Sequence, residues 1–508
     1  MSVIQIKVFL QIITYYSLFV SLEFVFLMLK KLIIMTYSRT KIMATVGPAC
    51  SNIDILEKMI LKGVNLFRLN FSHGTHSEHL QVIESIHALN DKLNTHVAVL
   101  ADLQGPKIRI GEVENNGVNL INGNDIEIVT SQCLSNDQRL YIHYPEFPKD
   151  VKPGDQVLID DGKIMLKVEQ TNQINSVKAR VVHGGFLSSK KGVNLPNTKI
   201  SQPSLTEKDL DDARFALKHN VDWIALSFVR KPQDILDLRE IVNRISPATR
   251  LIAKIEKPEA LEVLDEIIEV SHGIMIARGD LGVEVSFNKL PMIQKNIIRE
   301  CIIQAKPVVI ATQMMESMIT NFRPTRAETN DVANAVLDGA DCLMLSGETS
   351  VGNFPVDVIE NMKQIITWTE KHGFTYIRES LPKTSSKNFL PDSICNHASL
   401  MAEQSHASAL VSFTHSGYTT ARISSHRPSA NIFAFSNNKK ILNSLSILWG
   451  VRQYYLKTYE NINQAINHSF EILKESGMIQ KNDVVIHLGS IPLNMRGQTN
   501  MVKISYLE

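Results

Sequence analysis

"RLIAKIEKP", Arg250 to Pro258, is the stretch on which the reading of this chain turns. Leu251 to Ala253 and Ile255 make an apolar run, and Lys254, Glu256 and Lys257 crowd its end before a proline. A strand with one solvated face alternates along its whole length, whereas a strand buried on both faces reads as a continuous apolar run. Lys254 and Glu256 are two apart, so on a strand both side chains leave by the same face. The stretch therefore reads as a buried strand whose C-terminal tip delivers an amine and a carboxylate to one place.

Seven other runs share the design: "KIMATVGP", "VNLFRLNFSHG", "HVAVLADLQGP", "VDWIALSFVRKP", "HGIMIARGD", "KPVVIATQM" and "DCLMLSGET". Helical patterns lie between most of them. "NIDILEKMILKG" has a Ser51/Asn52 start and a Gly63 stop, and "SLTEKDLDDARFALKHN" carries a capping box from Thr206 to Asp209. Alternating strand and helix implies βα units, and eight of them close as a (β/α)8 TIM barrel with its site at the C-terminal strand ends. Turn formation alone accounts for Gly, Asn and Pro at those ends, but not for repeated Lys, Glu, Asp, Arg and Thr.

The spacing breaks between the third and fourth strands, where "NGNDIEIVT", "PGDQVLIDDGKIMLKVEQ" and "NSVKARVVHGG" read as short strands with turns. The expected fold class is thus α/β, a barrel with an inserted antiparallel β-barrel lid domain and a C-terminal α/β domain. The expected boundaries are 37–105 and 204–370 for the barrel, 106–203 for the lid and 371–508 for the C-terminal, regulatory domain.

Composition narrows the class. With 508 residues, 44% hydrophobic, 21% charged and a formal net charge of +1, no global field draws the chain to nucleic acid. Five scattered cysteines without metal-ligand spacing imply a reducing compartment, and a cytoplasmic enzyme is expected. Residues 1–36 read as a hydrophobic N-terminal extension. Its run from Val8 to Met28 approaches bilayer length but contains Gln11 and Glu23, and "MTYSRTKIM" at Met35 reads as the opening of the folded chain. The alternative is a membrane anchor or uncleaved signal; no membrane association is expected.

The strand ends hold the chemistry. Glu256 and, on the next strand, Asp280 of "ARGDLGVE" supply two carboxylates beside Lys254, a donor set suited to Mg²⁺ or Mn²⁺ completed by substrate and water. Backbone amides around Gly279 and Asp280 suit a substrate carboxylate. In "FRLNFSHG", Arg68, Asn70 and Ser72 share a face, with His73 in the turn, and the planar fork of Arg68 suits phosphate. Thr312 adds a hydroxyl. In "AVLADLQGPKIRIG", Lys107 and Arg109 follow Asp102 closely enough to reach it. Phosphoryl transfer requires positioning and charge neutralisation more than a covalent nucleophile, so this inventory fits it.

In order along the chain, "RTKIMATVGPA", "FRLNFSHG", "DLQGPKIR", "KKGVNLP", "KIEKPEA", "IARGDLGVE", "IATQMMESM" and "RPTRAETNDVANAVLDGADCLMLSGET" resemble the motifs of pyruvate kinases over Tyr37 to Glu508. The resemblance implies phosphoryl transfer from phosphoenolpyruvate to ADP, giving pyruvate and ATP, usually in a homotetramer. It implies that Glu256 and Asp280 hold Mg²⁺, that Lys254 neutralises the transferring phosphoryl and the enolate, and that Arg68 contacts the substrate phosphate. It further implies that Thr312 belongs to the protonating network, that the Gly279 and Asp280 amides take the carboxylate, and that Asn70, His73, Arg109 and Lys191 contact nucleotide. A lyase of the phosphoenolpyruvate/pyruvate superfamily and an inactive regulatory paralogue are the competing classes. The former lacks the lid and the "RLNFSHG" wall, and the intact Lys254, Glu256, Asp280, Arg68 and Thr312 argue against the latter.

Two finer expectations follow from the same resemblance. Groups matching Asn70, Ser72, Asp102 and the Leu103 carbonyl build a K⁺ site in many members. Leu103, Gln104, Lys107 and Ile110 instead match the bacterial-type pattern that needs no K⁺, with the Lys107 ammonium standing in for the cation. "FTHSGYTTAR" matches the family's effector loop, where Thr414, Ser416, Gly417 and Thr419 are expected to cradle a phosphorylated effector, although Tyr418 stands where a basic residue often sits.

Overall fold

A computed structural model describes residues 37–196, 198–373, 382, 387–457, 459, 461–492 and 499–507. The hydrophobic run from Val8 to Met28 lies outside the described residues. Among the described residues no helix is long and apolar enough to cross a membrane, and all five cysteines are free.

Eight parallel strands close into a barrel: β1 (Lys41–Thr45), β2 (Leu66–Asn70), β3 (Ala98–Asp102), β4 (Trp223–Leu226), β5 (Arg250–Ile255), β6 (Gly273–Ala277), β7 (Val308–Ala311) and β8 (Cys342–Leu345). Each pairs with its neighbours in sequence, and β8 pairs with β1 through Lys41 opposite Cys342. Side chains alternate between two apolar clusters. Ile42, Ala44, Phe67, Leu69, Val99 and Ala101 pack outward under the helices. Met43, Leu66, Leu100, Ala225, Ile252 and Met275 fill the interior. Counting on by two from the interior residues reaches Thr45, Arg68, Asp102, Ser227 and Lys254, so the alternation that packs the barrel also aims the polar tips inward.

Helix boundaries follow local chemistry. The Asn52 side chain accepts from the Asp54 N–H ahead of the helix Ile53–Lys62. Thr206 and Asp209 form a reciprocal capping box on the helix Glu207–Lys218, satisfying amides that have no partner inside the helix.

Between β3 and β4 the inserted segment forms a six-stranded sheet and a separate two-stranded one. The expectation of an antiparallel β barrel needs one correction here. Residues 108–111 bridge the two edges of the larger sheet, Arg109 to Gly192 and Ile110 to Ile142, but Asp125–Val129 pairs with Arg139–Tyr141 in parallel. A two-residue turn forces an antiparallel hairpin, whereas the longer connection through residues 130–138 lets the chain return in the same direction. At the far end, β9 (Ala409–Phe413), β10 (Asn431–Ser436), β11 (Val451–Tyr455), β12 (Val484–Gly489) and β13 (Met501–Tyr506) make one sheet, parallel except for β13. This unit docks on the N-terminal ends of the barrel strands. Trp223 Nε1 donates to the Ser444 carbonyl (3.2 Å), and the Arg427 guanidinium meets the Asp341 carboxylate at 3.0 Å. The C-terminal ends are left open toward the insert.

Candidate active site

Lys254, near the end of β5, sits among acceptors from three strands. Its Nζ lies 2.9 Å from Glu256 Oε1 and 3.2 Å from Asp102 Oδ1, and it donates to Ser227 Oγ at 2.7 Å. Burial works against the ammonium, yet Asp102 and Glu256 raise its pKa above the ordinary lysine value, so it stays charged. Asp102, 1% exposed, also receives Arg68 Nε at 2.7 Å, and Arg68 Nη1 reaches Thr45 Oγ1 at 3.1 Å. Burial opposes the Asp102 carboxylate as well; Lys254 and then Arg68 hold it below its ordinary value. Thr45 and Ser227 passed unremarked in the sequence, although the alternation within their own strands places both inside the barrel.

Glu256 is 1% exposed, and its Oε2 accepts from the Phe228 N–H at 2.8 Å. Its pKa is raised by burial, against Lys254 and with the help of the negative charge of Asp280. The two carboxylates thus interact unfavourably while facing one cavity, the condition that a hard divalent cation relieves. No cluster of three or more His, Cys, Asp or Glu suited to a metal occurs among the described residues. A pair of carboxylates fits Mg²⁺ or Mn²⁺ with substrate and water filling the remaining positions.

Gly279 and Asp280 lie in the helix Arg278–Glu284, which follows β6. The Gly279 N–H donates to Thr312 Oγ1 at 2.7 Å, and that hydroxyl donates to the Ala311 carbonyl at 2.6 Å. Thr312 holds φ at +69° and Gln313 at +54°, uncommon for a β-branched residue and its neighbour. Arg278, itself paired with Asp331 (2.8 Å), bonds both carbonyls of that turn, at 2.8 and 3.2 Å. The strained turn is therefore held from outside by a side chain that sequence inspection passed over.

Lys107 and Arg109 do not meet Asp102. Gly105, at φ +67°, turns the chain out of β3, and a Cβ there would come within 2.8 Å of the Phe228 ring. Beyond the turn Arg109 donates to the Lys190 carbonyl (3.0 Å), while Asp102 is already engaged by Lys254 and Arg68. Lys107 instead stands on the wall shared by two cavities. One, of about 100 Å³, is lined by Arg68, Asn70, Ser72, Lys254, Glu256 and Thr312 among others. The other, of about 290 Å³, brings in Lys191 and Asp160 from the insert. His73, Lys107, Arg109 and Asp280 border both. Lys191 pairs with Asp160 at 2.8 Å. Burial, then Arg109, Lys107 and Arg68, push His73 below its ordinary pKa, which marks a positive potential over the shared wall.

Leu103, 1% exposed, borders the smaller cavity, and its carbonyl accepts from Ser227 Oγ at 2.8 Å. Asn70 Oδ1 accepts from the Ser72 N–H at 3.2 Å. The insert is tied to the barrel by a buried triad: Lys257 Nζ lies 2.7 Å from Glu284 Oε1, which also accepts from Asn194 Nδ2 at 3.0 Å. The loop from Thr414 to Thr419 lies at the opposite pole, and its hydroxyls do not converge. Thr414 Oγ1 accepts from the Gly417 N–H (2.8 Å), and Thr419 Oγ1 pairs with Thr499 Oγ1 (2.6 Å). Ser416 and Gly417 face a cavity between the C-terminal unit and the barrel.

Comparison with known proteins agrees with this architecture. Residues 37–359 match the family model described as pyruvate kinase, barrel domain, and residues 392–505 match that described as pyruvate kinase, alpha/beta domain. Pyruvate kinases of Staphylococcus aureus strains MRSA252 and USA300 are each 38% identical over 471 residues, covering 92% of this chain and 80% of theirs. The crystal structure of a pyruvate kinase from Cryptosporidium parvum superposes with a TM-score of 0.87 at 35% identity, covering 94% of this chain and 97% of that one.

Proposed function

The chain belongs to the pyruvate kinase family and is a phosphotransferase; from that premise we propose that it moves the phosphoryl group of phosphoenolpyruvate to ADP, giving pyruvate and ATP. The observation that carries this reading is Lys254, kept charged between Asp102, Glu256 and Ser227 and opening with Arg68 onto one cavity. A buried ammonium beside the transferring group stabilises the charge that passes from phosphate to enolate, at little reorganisation cost. Arg68, oriented by Asp102 and Thr45, offers its fork to the phosphate. The substrate carboxylate takes the Asp280 amide and, by displacing the Thr312 hydroxyl from it, the Gly279 amide, which frees that hydroxyl for the network that protonates the enolate carbon.

Glu256 and Asp280 would hold Mg²⁺ or Mn²⁺. When bound, the ion would supply Lewis-acid neutralisation of the charge that develops on the substrate. The nucleotide occupies the larger cavity, where His73, Arg109 and Lys191 provide donors under the segment 106–203, which acts as a lid. Lys107 makes no ion pair among the described residues and stands on the shared wall, which supports its replacing K⁺ beside the phosphates. Asn70, Ser72, Asp102 and Leu103 then border a position where no monovalent cation is required.

Incubation of the purified chain with Mg²⁺, phosphoenolpyruvate and ADP should yield pyruvate in a coupled assay; no pyruvate overturns the reading. The same assay without K⁺ should run undiminished, and Lys107→Glu should acquire K⁺ dependence. Strong K⁺ activation of the unsubstituted protein rejects the Lys107 assignment alone. Homotetramer assembly is checked by sedimentation.

A further inference from the structure

The loop after β7 carries two consecutive residues in the left-handed region, Thr312 at φ +69° and Gln313 at +54°. That geometry is costly for a β-branched residue and persists only where the surroundings over-determine it. Here the determining side chain comes from the neighbouring strand. Arg278 follows β6, and its Nη2 donates to the Thr312 carbonyl at 2.8 Å and to the Gln313 carbonyl at 3.2 Å. Both terminal nitrogens also lie 2.8 Å from the Asp331 carboxylate, a two-pronged contact that fixes the plane of the guanidinium.

The Thr312 hydroxyl is tethered to the Gly279 N–H at 2.7 Å and to the Ala311 carbonyl at 2.6 Å. A Cβ at Gly279 would stand 3.3 Å from that oxygen, so the helix Arg278–Glu284 and the loop touch at this point. When the substrate carboxylate takes the Gly279 amide, the first tether is gone. The second runs to the preceding residue and moves with the loop. The direction of the hydroxyl then depends on the Thr312 backbone, which is what Arg278 grips. The same arginine opens the helix whose next two positions, Gly279 and Asp280, face the substrate. Its backbone thus belongs to one wall of the site and its side chain holds the other.

We infer that Arg278 is a positioning residue for the second half of the reaction, holding the Thr312 hydroxyl at the enolate carbon so that protonation follows phosphoryl transfer without delay. The inference rests on the role of Thr312 proposed above. In the step served, the phosphoryl group has already left for ADP. A proton from solvent reaches the methylene carbon through the hydroxyl's network, a C–H bond forms, and the enolate oxygen becomes the pyruvate carbonyl. Phosphoryl transfer itself draws on Lys254 and Glu256 at the tip of β5 and on Arg68 of β2, which do not depend on this loop. A side chain that only stabilised the fold would slow both halves alike.

Rapid-quench measurement of ATP, alongside stopped-flow detection of pyruvate with lactate dehydrogenase, separates the two halves. The unsubstituted protein should form both products together. In Arg278→Met, ATP should form in the first turnover at nearly the unsubstituted rate. Pyruvate should lag, slowed about 10²-fold, as a misplacement of about 1 Å costs. The D2O solvent isotope effect on pyruvate formation should grow with the lag. Thr312→Val should show the same separation, and Arg278→Lys, which reaches one carbonyl but not both, a smaller one. If Thr312→Val separates the products while Arg278→Met slows them equally or not at all, the positioning role is overturned and that of Thr312 stands. No separation in Thr312→Val removes Thr312 from the network and this inference with it. If Arg278→Met fails to fold, Arg278→Lys decides by the same lag.

Discussion

The two ends of the barrel use the same material for different work. At the C-terminal rim, Lys254 and Arg68 share the Asp102 carboxylate and keep one side open to a cavity. At the N-terminal rim, Arg427 meets Asp341 in a two-pronged contact beneath the Trp449 ring, 1% and 3% exposed, with the Trp449 backbone N–H donating to the same carboxylate. The closed pair joins two units of the fold. The open cluster is charge held in reserve for a substrate. A buried ion pair is weak evidence for stability as such, because desolvation offsets attraction; what differs between these two clusters is whether the charges line a cavity.

The largest effect that would sharpen this contrast is in turnover. Lys254→Met should lower kcat by about 10³-fold or more, as loss of a preorganised electrostatic group does. Steady-state kinetics with phosphoenolpyruvate and ADP reads the loss, and retention of more than a tenth of the activity would break the comparison. Next comes Arg427→Met, which leaves Asp341 buried without its partner and should cost about 3–5 kcal/mol of stability. Denaturant melting measures that cost, while kcat of the folded fraction should stay near that of the unsubstituted protein.

Two smaller effects probe each rim more finely. Asn194→Ala removes the lid's hydrogen bond to the buried Glu284 and should raise the KM for ADP several-fold with little change in kcat, read by the split between the two constants. At the other rim, burial raises Asp222 to about 7, although the Val99 N–H and Lys440 pull it down. In the window between the ordinary carboxylate value and about 7 the folded state holds the proton more tightly than the unfolded chain. Its contribution is therefore full at low pH and is lost as pH rises through about 7. Asp222→Asn should remove this dependence, gaining about 4 kcal/mol relative to the unsubstituted protein across that window. Parallel melting curves at both ends of the window would contradict it.

Much of the site was legible because strand alternation is local. Arg68, Asp102, Lys254 and Glu256 could be placed on inward faces from their spacing to apolar neighbours alone. Thr45 and Ser227 obeyed the same rule but, as ordinary hydroxyl residues, gave no chemical signal until their distances to Arg68 and Lys254 were known. The pairing of Asp102 could not be read correctly from its surroundings in the chain. Lys107 and Arg109 are near it in sequence, yet Gly105 turns them away and residues from β2 and β5 take their place. The Arg278 brace on the Thr312 turn and the Lys257–Glu284–Asn194 triad were invisible for the same reason: each joins segments far apart in the chain.

By itself the sequence determined the repeating strand–helix order, the inward direction of each polar strand tip and the residue types available for phosphoryl chemistry. These depend on backbone periodicity, which acts over a few residues. Only the tertiary structure decided which charges meet, which are left unpaired, and that the C-terminal unit closes over Arg250 and Lys306 at the far pole. Those outcomes depend on barrel closure and on how the C-terminal unit docks, because electrostatic pairing is set by distance in space and by exclusion of water, neither of which is written in the order of residues.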